Sequence, residues 1–259
     1  MLLALDIGNT ETTVGLFTGE QLHGHWRLHT TPARTPDEWS AALTAYLTHA
    51  GHSTQEVRAA IVASVAPHVT QNLCDGVRGA TTRDPVRVDA RSRLPIVLDV
   101  DEPLTVGADR IINTLAASRL FRRDTIVVDF GTATTFDCIT ADGRFLGGII
   151  MPGVRTAADD LVRKAAKLPA TELVPPARAI GRRTEDCIRA GVLWGAADAV
   201  DGLVRRIKAE WPGAGPPHTV ATGGLAGLVA PLCKEIEAVN PNLTLIGLRI
   251  AAEALGLTW

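Results

Sequence analysis

The run from Val127 to Asp137, V-V-D-F-G-T-A-T-T-F-D, decides how the rest of the chain is read. An apolar stretch ends in Asp129, Gly131 follows, and the hydroxyl-bearing Thr132, Thr134 and Thr135 come next. The same order stands near the N-terminus. Leu3 to Thr13 reads L-A-L-D-I-G-N-T-E-T-T, so Asp6 and Gly8 occupy the places of Asp129 and Gly131, and Thr12 that of Thr135. In each copy a buried strand delivers a carboxylate to a glycine turn. Two copies, one opening each half, point to a duplicated α/β fold with a site in the cleft between the halves.

Composition narrows the class. At 259 residues the chain can bury the cores of two ordinary domains. Hydrophobic residues make up 46 % and the formal net charge is −2, which argues against disorder and against electrostatic binding of nucleic acid. Cys74, Cys138, Cys187 and Cys233 form no C-x-x-C pair, so neither a zinc site nor a disulfide framework is expected, and a reducing cytoplasm fits. The first residues enter an apolar run without a basic leader, and no segment reaches the roughly 20 apolar residues of a membrane span. Neither export nor membrane anchoring is expected.

Taken in order, Leu2 to Ile7 reads as a buried strand, Thr12 to Phe17 as its hairpin partner, and Leu22 to Leu28 as a third strand. Pro36-Asp37-Glu38 opens a helix with proline and acids in its first turn. Ala59 to Val65 is the next buried strand, and Gly107 to Phe121 keeps helical spacing. The second half repeats the order: strands at Thr125 to Phe130, Ala133 to Thr140 and Arg144 to Met151, then helices at Val154 to Ala166 and Thr184 to Glu210. A late strand at His218 to Ala221 and helices at Leu225 to Lys234 and Ile246 to Ala254 complete it. This is the order of two ribonuclease-H-like units, the building blocks of actin-like ATPases, with mixed sheets flanked by helices. The expected division is 1–120 and 121–259.

Three turns carry candidate chemistry. Asp6-Ile-Gly-Asn-Thr can bring backbone N–H groups and hydroxyls against phosphate oxygens, while Asp6 holds a hydrated Mg²⁺. A hairpin turn whose Asp and Asn bond their own backbone has the same sequence, and only the second copy tips the balance. Asp129-Phe-Gly-Thr is that copy. Ala221-Thr-Gly-Gly ends a strand in two glycines, which lets a base or ribose approach the backbone. No G-x-x-x-x-G-K-[ST] loop occurs, and Asp-Phe-Gly here lacks the other protein-kinase motifs. A fourth piece, Gly107-Ala-Asp-Arg, puts Asp109 in the first turn of a helix, where N–H groups and the dipole favour a carboxylate able to accept a proton. Arg110 adds a fork of donors suited to another carboxylate. A helix cap beside a solvated arginine reads the same in isolation.

With these pieces together the chain resembles the type III pantothenate kinases essentially end to end. The match rests on Asp6-Ile-Gly-Asn-Thr, Gly107-Ala-Asp-Arg, Asp129-Phe-Gly-Thr-Ala-Thr-Thr, Gly147-Gly-Ile-Ile-Met-Pro-Gly, Thr184, Ala221-Thr-Gly-Gly and Leu245-Ile-Gly-Leu-Arg. The resemblance implies ATP-dependent phosphorylation of pantothenate at its primary hydroxyl, the first step of coenzyme A synthesis. It implies Asp109 as proton acceptor, and Gly107, Ala108, Asp109, Arg110 and Thr184 as pantothenate contacts. It also implies Asp6, Ile7, Gly8, Asn9, Thr10, Glu11, Thr12, Thr13 and Thr132 as the ATP site. Asp129 is implied as ligand to a monovalent cation, K⁺ or NH₄⁺, with Mg²⁺ also required, and the assembly as a homodimer. One departure is visible: Val100 stands where the family often has a tyrosine, which removes a phenol hydrogen bond from the pantothenate pocket. A non-catalytic nucleotide-binding regulator on the same scaffold is the competing reading, and the intact Asp109 speaks against it.

Overall fold

The computed structural model describes residues 1–259. Strands β1 (Leu2–Ile7), β2 (Glu11–Thr18) and β3 (Gln21–His29) form an antiparallel meander. After helix α1 (Pro36–His49), strand β4 (Ala59–Ser64) joins β1 in parallel; after α2 (Pro67–Thr81), strand β5 (Val86–Val88) joins β4, giving the order β3-β2-β1-β4-β5. The short β6 (Val97–Leu98) and α3 (Ala108–Phe121) follow. The second half repeats this order with β7 (Thr125–Phe130), β8 (Ala133–Ile139), β9 (Arg144–Pro152), β10 (His218–Thr222) and β11 (Ala238–Val239), arranged β9-β8-β7-β10-β11. Here too the meander is antiparallel and the later strands are parallel, so the two copies of the opening motif lie on equivalent strands.

The continuous apolar run of β1 follows from cover on both faces. Leu3, Leu5 and Ile7 meet Trp39, Leu43 and Leu73 of α1 and α2. Leu2 and Ala4 meet Ile111 and Leu115 of α3 and Leu248 of α8 (Leu243–Ala254). Helix α1 starts where the sequence places it: the Thr35 hydroxyl accepts from the Glu38 N–H at 3.3 Å, and the Glu38 carboxylate accepts from the Thr35 N–H at 2.7 Å.

By contact the chain divides into Met1–Arg119 with Leu243–Trp259, and Leu120–Asn242. The expected division at 120 and 121 left residues 243–259 with the second half, whereas α8 lies on the first. Gly247 makes that possible: a Cβ there would stand 2.6 Å from the Ile112 carbonyl oxygen, so only glycine lets α8 lie this close to α3.

In the second unit α4 (Val154–Lys164) follows β9, and a helix runs from Thr184 to Glu210 as α5 (Thr184–Arg189), a π-helical turn (Ala190–Trp194) and α6 (Gly195–Glu210). The apolar side of this helix buries Leu193, Val200 and Val204 against Ile126, Val128 and Phe136 of the sheet. The expected helix from Leu225 to Lys234 is cut short as α7 (Ala226–Val229) and a 3₁₀ turn at Ala230–Leu232. Pro231 is the reason, since it lacks the N–H that an α-helix continuing from α7 needs. Strands β5, β6 and β11 escaped the sequence reading because two or three residues carry no period. No helix is long and apolar enough to cross a membrane.

Candidate active site

In the first unit, two of the candidate motifs meet at one sheet edge. The Val65 N–H donates to the Ile7 carbonyl at 3.0 Å, where β1 and β4 end side by side. A Cβ on Gly107 would lie 3.4 Å from Val65 Cγ1, so the start of α3 stands beside the same strand ends. Residues 6–10 and 107–110, about a hundred positions apart in sequence, are thus neighbours.

The Gly8 turn closes through the Gly8 N–H to the Glu11 carbonyl at 3.0 Å. It tolerates no side chain, because a Cβ on Gly8 would meet that carbonyl at 2.8 Å. The Thr30 N–H donates to the Thr10 carbonyl at 2.9 Å and braces the turn from β3's end. Asn9 and Thr10 are exposed, and Asp6 is half-buried at the strand end. The sequence reading of 6–13 as one ATP-contacting run needs correction for two side chains. Ile7 is fully buried in the core, and the fully buried Thr12 hydroxyl bonds the Thr30 hydroxyl at 2.9 Å, so both build the hairpin's base. Glu11 is exposed and reaches Arg27 at 3.9 Å; Thr13 is half-buried.

Asp109 stands at the second position of α3, and Ala108 before it is buried. Its Oδ1 accepts from the Arg110 N–H at 2.8 Å, one of the first-turn N–H groups a helix leaves unpaired. The carboxylate folds back over Gly107, where a Cβ would fall 2.6 Å from Oδ1. Burial pushes this carboxyl above its ordinary value of 3.8, outweighing the opposing pull of the Arg110 N–H and guanidinium. A carboxylate raised in this way is a better base than a solvated one.

In the second unit the Asp129 turn is clamped from two sides. The Thr132 carbonyl accepts from the Gly153 N–H at 3.2 Å and the Thr156 hydroxyl at 2.7 Å, both at the start of α4. Gly153 has ordinary backbone angles, φ −66°, yet a Cβ there would fall 2.3 Å from the Thr132 oxygen and 2.5 Å from the Gly131 oxygen. Gly153→Ala is therefore expected to destabilise by about 3 kcal/mol through overlap alone, measured as a lowered urea midpoint at unchanged slope. On the other side Gly223, at φ +92°, lies so close to Asp129 that a Cβ would fall 2.3 Å from Oδ1. The half-buried Asp129 carboxylate is cradled by backbone, and Thr132 is exposed on the turn. The sequence reading named neither Gly153 nor Gly223 as a site residue. Both lie within quoted motifs, but nothing local marks which glycine of a motif meets a distant turn.

Oxygen donors suit hard cations, and the residues fit the two implied ions in different ways. Asp6, half-buried at a strand end beside the exposed Asn9 and Thr10, fits Mg²⁺ held through water, and no group of three or more His, Cys, Asp or Glu stands ready to cage a metal by itself. Asp129 in its glycine cradle fits a monovalent ion.

Thr184 is the first residue of α5 and exposed. The sequence reading allowed it to be the helix cap; the structure places Arg183 there instead, without a side-chain cap bond. Thr184 lines an apolar groove of about 590 Å³ with Met151, Val154, Leu161, Cys187 and Ile188. Val100, in the first unit, is half-buried and brings no polar group.

A duplicated sheet with a glycine turn after each first strand, and a basic carboxylate at a helix start, defines a small-molecule phosphotransferase of the actin-like ATPase class. Among solved structures the fold is similar to a Baf family protein from Campylobacter jejuni (TM-score 0.60, 18 % identity, covering 97 % of each chain). It is also similar to the ROK hexokinase from Thermus thermophilus (TM-score 0.52, 16 % identity, 96 % of this chain and 97 % of that one); at such identities the likeness is one of fold. The chain belongs to the type III pantothenate kinase family, whose model matches residues 2–206. It is 42 % identical over 253 residues to the type III pantothenate kinase of Moorella thermoacetica, covering 98 % of this chain and 99 % of that one. To that of Thermomicrobium roseum it is 43 % identical over 255 residues, covering 98 % of each.

Proposed function

We propose that this chain transfers the γ-phosphoryl group of ATP to the primary hydroxyl of pantothenate, giving 4′-phosphopantothenate for coenzyme A synthesis. The observation that carries the reading is Asp109: a carboxylate of raised basicity, held by a helix start next to a glycine turn suited to phosphate. Family membership supplies the substrate.

In this reading Asp109 accepts the hydroxyl proton as the oxygen attacks the γ-phosphorus, and ADP departs with the bridging oxygen. Gly107, Ala108 and Arg110 hold pantothenate, with Arg110 toward its carboxylate, and Thr184 is a further contact. The backbone of 6–13, the exposed Asn9 and Thr10, and Thr132 hold ATP. Mg²⁺ at Asp6 and a K⁺ or NH₄⁺ ion at Asp129 would screen phosphate charge when bound. Positioning and charge stabilisation dominate such reactions, which is why rigid glycine turns matter more than reactive side chains. The protein is read as a cytoplasmic homodimer, and sedimentation at several concentrations tests the assembly.

The activity is tested by ADP release in ATP, Mg²⁺ and K⁺, with pantothenate compared against sugars and acetate. Pantothenate-dependent ADP is expected. Its absence, or equal release with a sugar, overturns the assignment.

A further inference from the structure

The helix that carries Thr184 has an irregularity that the proposed activity does not by itself require. Between α5 and α6 the five residues Ala190–Trp194 form a π-helical turn, and the Ala190 N–H at its start is shared between the carbonyls of Asp186 and Cys187. The residues lining the groove explain why a wider turn is needed. Thr184, Ile188, Val192 and Ala196 recur every four positions, and Cys187, Gly191 and Gly195 do the same. In an uninterrupted α-helix of 3.6 residues per turn, residues four apart drift by about 40°, so this row would wind about 120° between 184 and 196. A π-turn takes up an additional residue and cancels much of that drift.

On the buried side Ile188, Ala190 and Leu193 are followed by Ala197, Val200 and Val204, so the helix keeps its sheet-facing side buried through the turn while the groove row holds its four-residue spacing. Inside the turn Gly191 is exposed, and a Cβ on it would meet nothing within 4 Å, so packing does not account for the glycine.

We infer that the π-turn at Ala190–Trp194 is a positioning element for the acceptor substrate: it sets the register that turns Thr184 and Cys187 into the groove lined by Gly195 and Ala196. This rests on the reading of Thr184 as a pantothenate contact. The π-turn touches no reacting atom. It acts through Thr184, and so belongs to recognition of pantothenate and leaves ATP untouched.

The test compares deletion of Gly191 with Gly191→Ala in the full chain. Both lose the glycine, but only the deletion restores α-helical register and swings the first turn by about 100°. Expected is a KM for pantothenate raised about tenfold or more in the deletion, with KM for ATP within about twofold, and a clearly smaller rise for Gly191→Ala, which adds one methyl at the groove wall and keeps the register. A folded deletion with unchanged pantothenate KM, or with both KM values raised alike, overturns the inference. So does a Gly191→Ala enzyme as impaired as the deletion.

A second measurement needs no altered fold. Cys187 is the exposed cysteine; Cys74 and Cys138 are buried, and burial pushes the Cys233 thiol up to about 12. Alkylation of Cys187 by iodoacetamide in the unaltered protein is expected to slow with saturating pantothenate and not with ATP. If the deletion shows no cooperative melt, this arm decides, and absence of protection overturns the inference. Thr184→Ala tests the premise separately: unchanged pantothenate KM there removes Thr184 as a contact and overturns the inference with it, while pantothenate-dependent ADP release leaves the kinase assignment standing.

Discussion

Asp109→Asn is expected to lower kcat by about 10³ while KM for ATP stays within about twofold, since a positioned general base contributes 10²–10⁴. Asparagine keeps the shape and still accepts from the Arg110 N–H, so the loss isolates proton acceptance from architecture. The same carboxyl sets a pH signature. As the proposed base Asp109 must be ionised, and burial holds its value above the ordinary 3.8. The acidic limb of kcat/KM should therefore fall at a higher pH than a solvated aspartate would give, and should vanish in Asp109→Asn. The stability sign is opposite to that of a salt-bridged aspartate. The folded state binds the proton more tightly than the unfolded one, so stability falls as pH rises from 3.8 through the raised folded value, and the cost persists above it. Asp109→Asn should accordingly melt higher than the parent at neutral pH. A variant with near-normal turnover would remove Asp109 from the mechanism. One that lost activity and stability together would mark it as structural.

Gly223→Ala should be the most damaging single methyl in the second unit. At φ +92° any L-residue is strained, and the added carbon would fall 2.3 Å from Asp129 Oδ1, 2.7 Å from the Phe130 nitrogen and 2.8 Å from the Phe130 carbonyl carbon. Strain and overlap with backbone that has nowhere to go together cost about 4 kcal/mol, a large fraction of the 5–15 kcal/mol of a typical domain. A melting temperature lowered by roughly 10 °C or more follows for a chain of this size. On the proposed reading of Asp129 as ligand to K⁺, its displacement should also weaken activation by that ion. Because stability and K⁺ response are measured separately, a variant that loses one and keeps the other would show that the cradle and the ion site are distinct. Gly227, four positions on, where a Cβ would meet nothing within 4 Å, is the natural control.

Much of the architecture was legible before any coordinates. Apolar runs of six residues ending in Asp-x-Gly mark strands covered on both faces, and β7 lies at Thr125–Phe130, as its run predicts. The duplicated order is matched by five strands in each half that follow the same arrangement. Gly107-Ala-Asp-Arg reads as a helix start because a carboxylate suits the unpaired N–H groups of a first turn, and that is a local property.

What local pattern could not carry lies in contacts between distant segments. Thr12 has the same composition and spacing whether its hydroxyl meets a ligand or Thr30; only the pairing of β2 with β3 chooses the latter. The C-terminal helix has an apolar face that fits either half, and Gly247 against Ile112 settles it on the first. The π-turn becomes meaningful only once Thr184, Ile188, Val192 and Ala196 are seen to line one groove at four-residue spacing.

The Val127 to Asp137 stretch shows the division most clearly. By itself the sequence determined a strand, a carboxylate at its end and a turn after it, because periodicity and turn chemistry are properties of neighbouring residues. The tertiary structure alone decided that Gly153 clamps the Thr132 carbonyl and that Gly223 cradles the Asp129 carboxylate. Such close approaches depend on packing between segments 21 and 94 residues apart, which no local pattern encodes.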